Sequence, residues 1–396
     1  MRIAQVTSSL LTPLGGAEQY LLALSRWQHE QGHEVTVITG WISPEVELAL
    51  VAEGIAVRVV RSRRPYPPDR KGSKPAAALF HALDLIGGIR TPGPMRRALA
   101  EGWDAIHVHR FAGFGAALLG SPAPLVMTVH DYGLVDTTTT LLRHGREVDT
   151  APWLLRLRTR IVSRAIGGAR LVFPTERLRA GHARWGLTLP TRTEVIAHGW
   201  RIDGAAGFTA VEPAVDGPTV FLFLGKLIRE KGVELLLEAW GDGIPGAELW
   251  IAGAGELRPA VESAAAAGLV RDLGWLDDAG RRSALAAASV LVLPSVWPEN
   301  FPLAAAEGVL AGLPLVSTTI AAPPVLHPDG NGLLAEPDAA SLRAHLVRLT
   351  DPELAARLAA GSREMAGELD FDVHGRRILD LYRSLGAPAE SATVRS

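Results

Sequence analysis

Short runs of Val, Ile, Leu and Phe recur along the 396-residue chain. Between them lie stretches in which apolar positions return every three or four residues. Runs of four to eight apolar, β-branched residues read as strands covered on both faces, and the intervening spacing reads as helix. In the first half the strand candidates are 2–9, 34–40, 55–61, 105–110, 125–131, 170–176 and 194–199, with helical stretches such as "AEQYLLALSRWQHEQG" between most of them. Strands alternating with helices predict an α/β chain built on parallel sheets.

The periodicity lapses at 201–218, "RIDGAAGFTAVEPAVDGP", which reads as a linker. The alternation then restarts with strand candidates at 219–226, 247–255, 270–276, 289–295 and 313–319. The expected organisation is therefore two doubly wound Rossmann-like domains, 1–200 and 219–370, followed by a helix and frayed tail over 371–396. Two such domains leave a cleft between them, and open α/β sheets bind ligands outside the carboxyl ends of their strands.

Composition narrows the classes. With 47% hydrophobic and 21% charged residues, the chain has material for two cores and no disorder signature. A formal net charge of -2 argues against nucleic-acid binding by bulk electrostatics. Cysteine is absent, which excludes disulfides and thiolate metal sites. No apolar run reaches the ~20 residues that span a bilayer, and "MRIAQVTSSLL" lacks the pattern of a signal peptide. The expected location is cytoplasmic, at most peripheral at the inner membrane face.

The candidate chemistry sits where strands pass into helices. In "SSLLTPLGGAEQY", Gly15 and Gly16 precede a helix expected from about Ala17. They form either a structural turn or a place where backbone N–H groups approach an anion. In "FLGKLIREKGVELLLEAW", Lys226 and Lys231 flank a turn before a helix expected around Gly232. They are either solvated or arranged for a diphosphate. Gly253 and Gly255 in "WIAGAGELRP" allow close backbone approach, to a ligand or to packing.

"SVWPENFPLAAAEGVLAGLPLVSTT" places Glu299 before a helix and Glu307 inside it, in apolar surroundings. Pro302 is expected at the first helical position. Buried carboxylates need partners, and adjacent sugar hydroxyls can supply them. "VMTVHDYG" brings His130 to a strand's carboxyl end, as a structural residue or a contact for a hydroxyl or phosphate. His107 and His109 share one face of the neighbouring strand, and His109 lies nearer its carboxyl end.

These motifs together resemble glycosyltransferase family 4, retaining enzymes of the GT-B fold, over nearly the whole chain. The most specific element is E-x7-E, Glu299 to Glu307, followed by "AGLPLVST". The resemblance implies two Rossmann-like domains facing across a cleft, with the C-terminal helix crossing back to the first. By the same resemblance Gly15–Gly16 touch the donor phosphate, and Lys226 and Lys231 hold the diphosphate. Glu307 binds ribose hydroxyls, and Glu299 binds the donor sugar. Backbone groups at Phe301, Pro302 and Leu303 help, and His130 contacts the transferred sugar. His109 and Gly253 are further candidate substrate contacts, and 273–276 lies near the base.

Two positions depart from the family. Lys226 stands where Arg is usual, which loses a bidentate fork, and Pro302 replaces a Gly, which removes one N–H. The implied reaction transfers a sugar from a nucleoside diphosphate to a hydroxyl with the anomeric configuration kept and no metal or other cofactor. The leaving diphosphate would be stabilised by fixed cations. A non-catalytic nucleotide-sugar-binding subunit is the alternative. An NAD enzyme is disfavoured because no G-x-G-x-x-G follows the first strand. The implied partners are a nucleotide sugar and a small-molecule, glycan or lipid-linked acceptor. The basic loop 61–75 and the basic, apolar helix candidate at 152–168 are candidate contacts for an anionic surface.

Overall fold

The computed structural model describes residues 1–386 except 13, 62–64, 68–72, 88–90, 121–123, 137–141, 144–145, 148–152 and 201–216. Most of the linker expected at 201–218, and much of loop 61–75, thus lie outside the described residues. The chain forms two compact units, one of Met1–Ala197 with the chain from Asp372 onward, the other of His198–Phe371. Trp200 goes with the second unit, although the sequence reading carried the first domain to residue 200. Its N–H bonds Leu369 O at 2.9 Å.

The first unit is built on a seven-stranded parallel sheet. Its strands are β1 (Arg2–Leu10), β2 (Glu34–Ile42), β3 (Ala56–Val59), β4 (Ala105–Val108), β5 (Leu125–Thr128), β6 (Arg170–Phe173) and β7 (Thr193–Val195), in the order β3-β2-β1-β4-β5-β6-β7. Helices α1 (Gly16–Glu30), α2 (Pro44–Ala52), α3 (Lys74–Gly87), α4 (Gly93–Leu99), α5 (Trp153–Ala165) and α6 (Glu176–Arg184) accompany it. After its first residue β1 is buried throughout, as a strand covered on both faces must be.

The second unit has six parallel strands: β8 (Thr219–Leu224), β9 (Ala247–Ala252), β10 (Arg271–Gly274), β11 (Val290–Leu293), β12 (Leu315–Thr318) and β13 (Gly332–Ala335), ordered β10-β9-β8-β11-β12-β13. Its helices are α7 (Val233–Trp240), α8 (Arg258–Ala266), α9 (Asp278–Ala287), α10 (Leu303–Leu310), α11 (Ala339–Arg348) and α12 (Pro352–Ala366). β13 was not legible in the sequence. It is four residues long and opens on Gly332, where a Cβ would stand 2.4 Å from Leu315 O. The glycine that lets the strands approach also removes the β-branched signal.

Helix α13 (Phe371–Arg383) closes the first unit. Trp27 of α1 donates its indole N–H to Asp372, and Gly375 lies so close to the Trp27 ring that a Cβ would come within 2.6 Å of it. In each unit the strand order reverses beside the first strand, between β1 and β4 and between β8 and β11. Doubly wound sheets bind their ligands at that point.

Candidate active site

In the second unit the chain leaves β8 through Gly225 and Lys226 and turns through a 3-10 segment, Arg229–Lys231, into α7. Gly232, at φ 70, is the hinge. A Cβ there would lie 1.9 Å from Pro294 O, so only glycine lets this turn press against the segment after β11. That contact brings Lys231 Nζ to 2.6 Å from Glu299 Oε1. Ser295 Oγ donates to the same oxygen at 2.7 Å. The cluster therefore bridges β8 and β11, across the strand-order reversal. Lys226 is exposed at the same edge.

Helix α10 begins at Leu303, one residue later than expected. Pro302 is its cap, with ψ 114, so the chain is still extended there, and no side chain caps the helix. Ala305 N–H is the first to reach back, to Pro302 O at 3.0 Å, and the earlier N–H groups point out of the helix end. One turn on, Glu307 is 3% exposed and receives an ion pair from Arg281 of α9. Burial raises its pKa, while the Arg281 guanidinium opposes the rise. Arg281 is a site residue that sequence reasoning missed. That a buried Glu307 needs a partner was legible, and sugar hydroxyls were expected there; the cation was not, because Arg281 lies 26 residues away on another element.

Gly253 and Gly255 are fixed by packing. A Cβ on Gly253 would stand 1.8 Å from Gly225 O, and one on Gly255 2.3 Å from Leu227 O. The β8 and β9 turns are locked together, with Leu227 N–H donating to Ala254 O at 2.9 Å. In the 273–276 segment, Trp275 is 70% exposed just past β10.

In the first unit, β4 and β5 carry His109, His130 and Asp131 off their carboxyl ends. His109 Nδ1 lies 3.0 Å from His130 Nε2, and His109 Nε2 lies 2.7 Å from Gln5 Oε1. His109 is 1% exposed and has a partner on each ring nitrogen. Burial, and then the nearby Arg110 guanidinium, push His130 down to about 3, so it is neutral at physiological pH.

Gly15 caps α1 with no side-chain partner, and the helix starts at Gly16. Beside it Arg110 joins Glu18 at 2.9 Å and Asp131 at 3.2 Å. Asp131 also accepts from Gly133 N–H at 2.8 Å. Glu18 and Arg110 were not singled out from the sequence, although Glu18 lies in the Gly15–Gly16 stretch and Arg110 directly follows His109. A pocket of about 80 Å³ opens beside His109, Arg110, His130 and Asp131, with Asp84 and Arg158 further along its wall. Those last two form a buried ion pair at 3.0 Å.

The sequence-read residues thus fall in two groups. Lys231 and Glu299 join, Glu307 and Leu303 lie on the helix that follows, and Phe301 packs its ring on His198 at 5.1 Å. His130 and His109 form the other group, in the unit that holds Gly15 and Gly16. Among the described residues, no cluster of three or more His, Asp or Glu is arranged to hold a metal, and no helix is long and apolar enough to cross a membrane.

Comparisons with known proteins agree with this architecture. Residues 15–199 match the model for a glycosyl transferase 4-like domain, and residues 218–351 match that for glycosyl transferases group 1. The chain is 27% identical over 403 residues to the phosphatidyl-myo-inositol mannosyltransferase of Mycolicibacterium smegmatis, covering 97% of this chain and 94% of the relative. It is 26% identical over 419 residues to the D-inositol 3-phosphate glycosyltransferase of Streptomyces scabiei, covering 93% and 86%. In fold it is similar to sucrose-phosphate synthase from Thermosynechococcus elongatus, with TM-score 0.72, 20% identity and 97% and 98% of the two chains covered. It is also similar to an Anabaena protein, HepE, solved with UDP, at TM-score 0.69, 16% identity and 97% and 100% coverage. With both halves matched by family models and the fold shared with these structures over nearly the whole chain, the chain belongs to glycosyltransferase family 4 and has the GT-B fold.

Proposed function

We propose that this glycosyltransferase moves a sugar from a nucleoside diphosphate sugar to a hydroxyl acceptor, with the anomeric configuration retained and without a metal. The observation that carries the reading is the Lys231–Glu299–Ser295 cluster across the β8–β11 reversal. An ammonium has three donors, so Lys231 can hold Glu299 with one and diphosphate oxygens with the others. Lys226 adds a second cation, and the α10 end at Leu303 adds N–H groups and a dipole that favours an anion. Glu307 takes the ribose hydroxyls, and Glu299 takes those of the sugar. Gly15 and Gly16 face the donor phosphate.

The bond from the anomeric carbon to the phosphate oxygen breaks as the acceptor oxygen bonds the same face. The acceptor's proton passes to the departing phosphate oxygen. Glu299 and Glu307, each paired to a cation, position the donor and are not a glycosidase-type pair. His130 contacts the transferred sugar, and the pocket beside it receives the acceptor. The names of the relatives support a mannosyl donor and an inositol-type acceptor, free or on a lipid.

The test is a thermal-shift panel in EDTA with UDP, GDP, ADP, dTDP and NAD, then their sugar conjugates, with Glu307→Ala as control. At 100 times its Kd a nucleotide adds ~2.7 kcal/mol. One nucleoside diphosphate that stabilises the wild type, and the variant less, supports the reading. No response from a folded protein, or a response that requires a divalent ion, overturns it.

A further inference from the structure

Trp200 carries a polar atom that the folded chain leaves unspent. The residue is 6% exposed and belongs to the second unit, where its backbone N–H is held by Leu369 O. Its indole Nε1 is buried and completes no hydrogen bond. Buried donors almost always have an acceptor, because leaving one unpaired costs more than a made bond gains.

Trp185 shows such an indole where packing alone surrounds it. It is 5% exposed, lies in the apolar core of the first unit, and its Nε1 also has no partner. Trp200 stands in different surroundings. Its N–H faces the Glu307 carboxylate closely enough to favour the charged form, although no hydrogen bond of normal geometry closes between them. Two residues earlier, His198 packs its ring on Phe301, just before the α10 cap at Pro302. The indole therefore stands against the same helix and loop that supply the proposed donor contacts.

Hydrogen-bond chemistry selects what this N–H can serve. Glu307 is 3% exposed, and Arg281 Nη2 donates to its Oε1. An ionised carboxylate only accepts. A hydroxyl seated on Glu307 thus spends its hydrogen there and keeps its oxygen lone pairs for a second donor. The Trp200 N–H is such a donor, buried beside the carboxylate. Carboxylate and N–H together read a hydroxyl from both sides, as giver and as taker of a hydrogen. A bare hydrogen at the same carbon satisfies neither.

We propose that Trp200 is a further donor-binding residue: its indole N–H donates to the oxygen of the ribose hydroxyl that Glu307 accepts from, and the two together select ribonucleotides over deoxyribonucleotides. The inference rests on the reading that Glu307 takes the ribose. A site built to hydrogen-bond a hydroxyl rejects the analogue that lacks it, because its own buried polar groups are then left unpaired. Selectivity for the sugar of the nucleotide is in this way separate from selectivity for the base.

The experiment is calorimetric titration of the full-length protein with UDP, GDP and ADP, then with the 2′-deoxy and 3′-deoxy forms of whichever binds. The proteins are wild type, Trp200→Phe, Trp185→Phe and Glu307→Gln. Phe keeps a ring and lacks the N–H. Trp200→Phe should weaken the ribonucleotide about tenfold, while the deoxy form that lacks the contacted hydroxyl binds wild type and variant alike. Comparing the two ligands on one variant removes any general packing defect from the result. Trp185→Phe should leave every affinity unchanged. An unchanged ribonucleotide affinity in Trp200→Phe overturns the proposal. Equal weakening of the ribose form and both deoxy forms overturns it too, for that is what a packing defect gives. A nucleotide that binds Glu307→Gln as tightly as wild type, or no nucleotide bound by folded wild type, overturns the underlying reading instead.

Discussion

Mild acid should destabilise the first unit far more than its net charge suggests. Four of its histidines are held neutral by burial. His130 is pushed down to about 3, His182 and His374 to about 4, and His107 well below its ordinary value. In the unfolded chain each takes up a proton near pH 6.5. Their contribution to stability is complete above that pH and is lost as pH falls toward the folded values, at ~1.4 kcal/mol per unit per group. From pH 7.5 to 5.5 each loses ~1.3 kcal/mol, about 5 in all. That is a large share of the 5–15 kcal/mol typical of a domain. Glu307, whose pKa is raised in the folded chain, lies in the second unit and does not offset this loss.

The assay is a Tm series by tryptophan fluorescence from pH 7.5 to 5.0 at constant ionic strength, with hydrogen exchange to locate the opening. At ~2–4 °C per kcal/mol for a unit of this size, a fall of roughly 10–20 °C is expected by pH 5.5. His182→Phe isolates one group. The His182 ring stacks on Tyr132 at 4.9 Å, its Nδ1 meets Leu178 O at 2.8 Å, and its Nε2 has no hydrogen-bond partner. Phe keeps the ring contacts and cannot titrate, so the variant should fall by ~1.3 kcal/mol less than wild type at pH 5.5. A Tm flat from pH 7.5 to 5.5, or an equal fall in the variant, would refute the reasoning.

Lys231→Ala should lower kcat/KM by ~2–4 kcal/mol of transition-state stabilisation, read in steady-state kinetics with the sugar nucleotide identified by the panel; near wild-type kinetics would remove Lys231 from the site. Arg281→Met leaves Glu307 buried without its cation and should cost ~1–3 kcal/mol, discounted because Arg281 is partly exposed; an unchanged urea midpoint would contradict it. Gly232→Ala must fit a Cβ 1.9 Å from Pro294 O at φ 70, so ~2–4 kcal/mol of stability should be lost, along with nucleotide-induced stabilisation. Trp153, Arg156, Leu157, Arg160 and Arg164 are exposed on α5. If that face meets an anionic lipid, Arg156, Arg160 and Arg164 together changed to Gln should abolish flotation with acidic vesicles; wild type that ignores acidic vesicles ends the membrane idea.

The sequence by itself determined the class of fold and the places where chemistry could sit. Twelve of the thirteen strands of the two parallel sheets fall within stretches read as strands; the central ones, such as β1, β4, β5 and β11, stand out as apolar runs because a parallel strand covered on both faces has no polar side to blur the signal. The turns at Gly15–Gly16, Lys226–Lys231 and Glu299–Pro302 stand out because glycine, proline and charge interrupt apolar surroundings. The exception, β13, opens on the glycine its own packing requires and carries no β-branched residue. Only the tertiary structure decided the pairings. Arg281 for Glu307, Ser295 and Lys231 for Glu299, and Glu18 with Asp131 for Arg110 join side chains from different turns and helices, and periodicity carries no information about which element lies beside which. The same holds for Tyr382 and Gln5, which are 377 positions apart and meet because α13 docks on the first sheet. Local pattern follows from burial; partner choice follows from packing, and only the folded chain contains it.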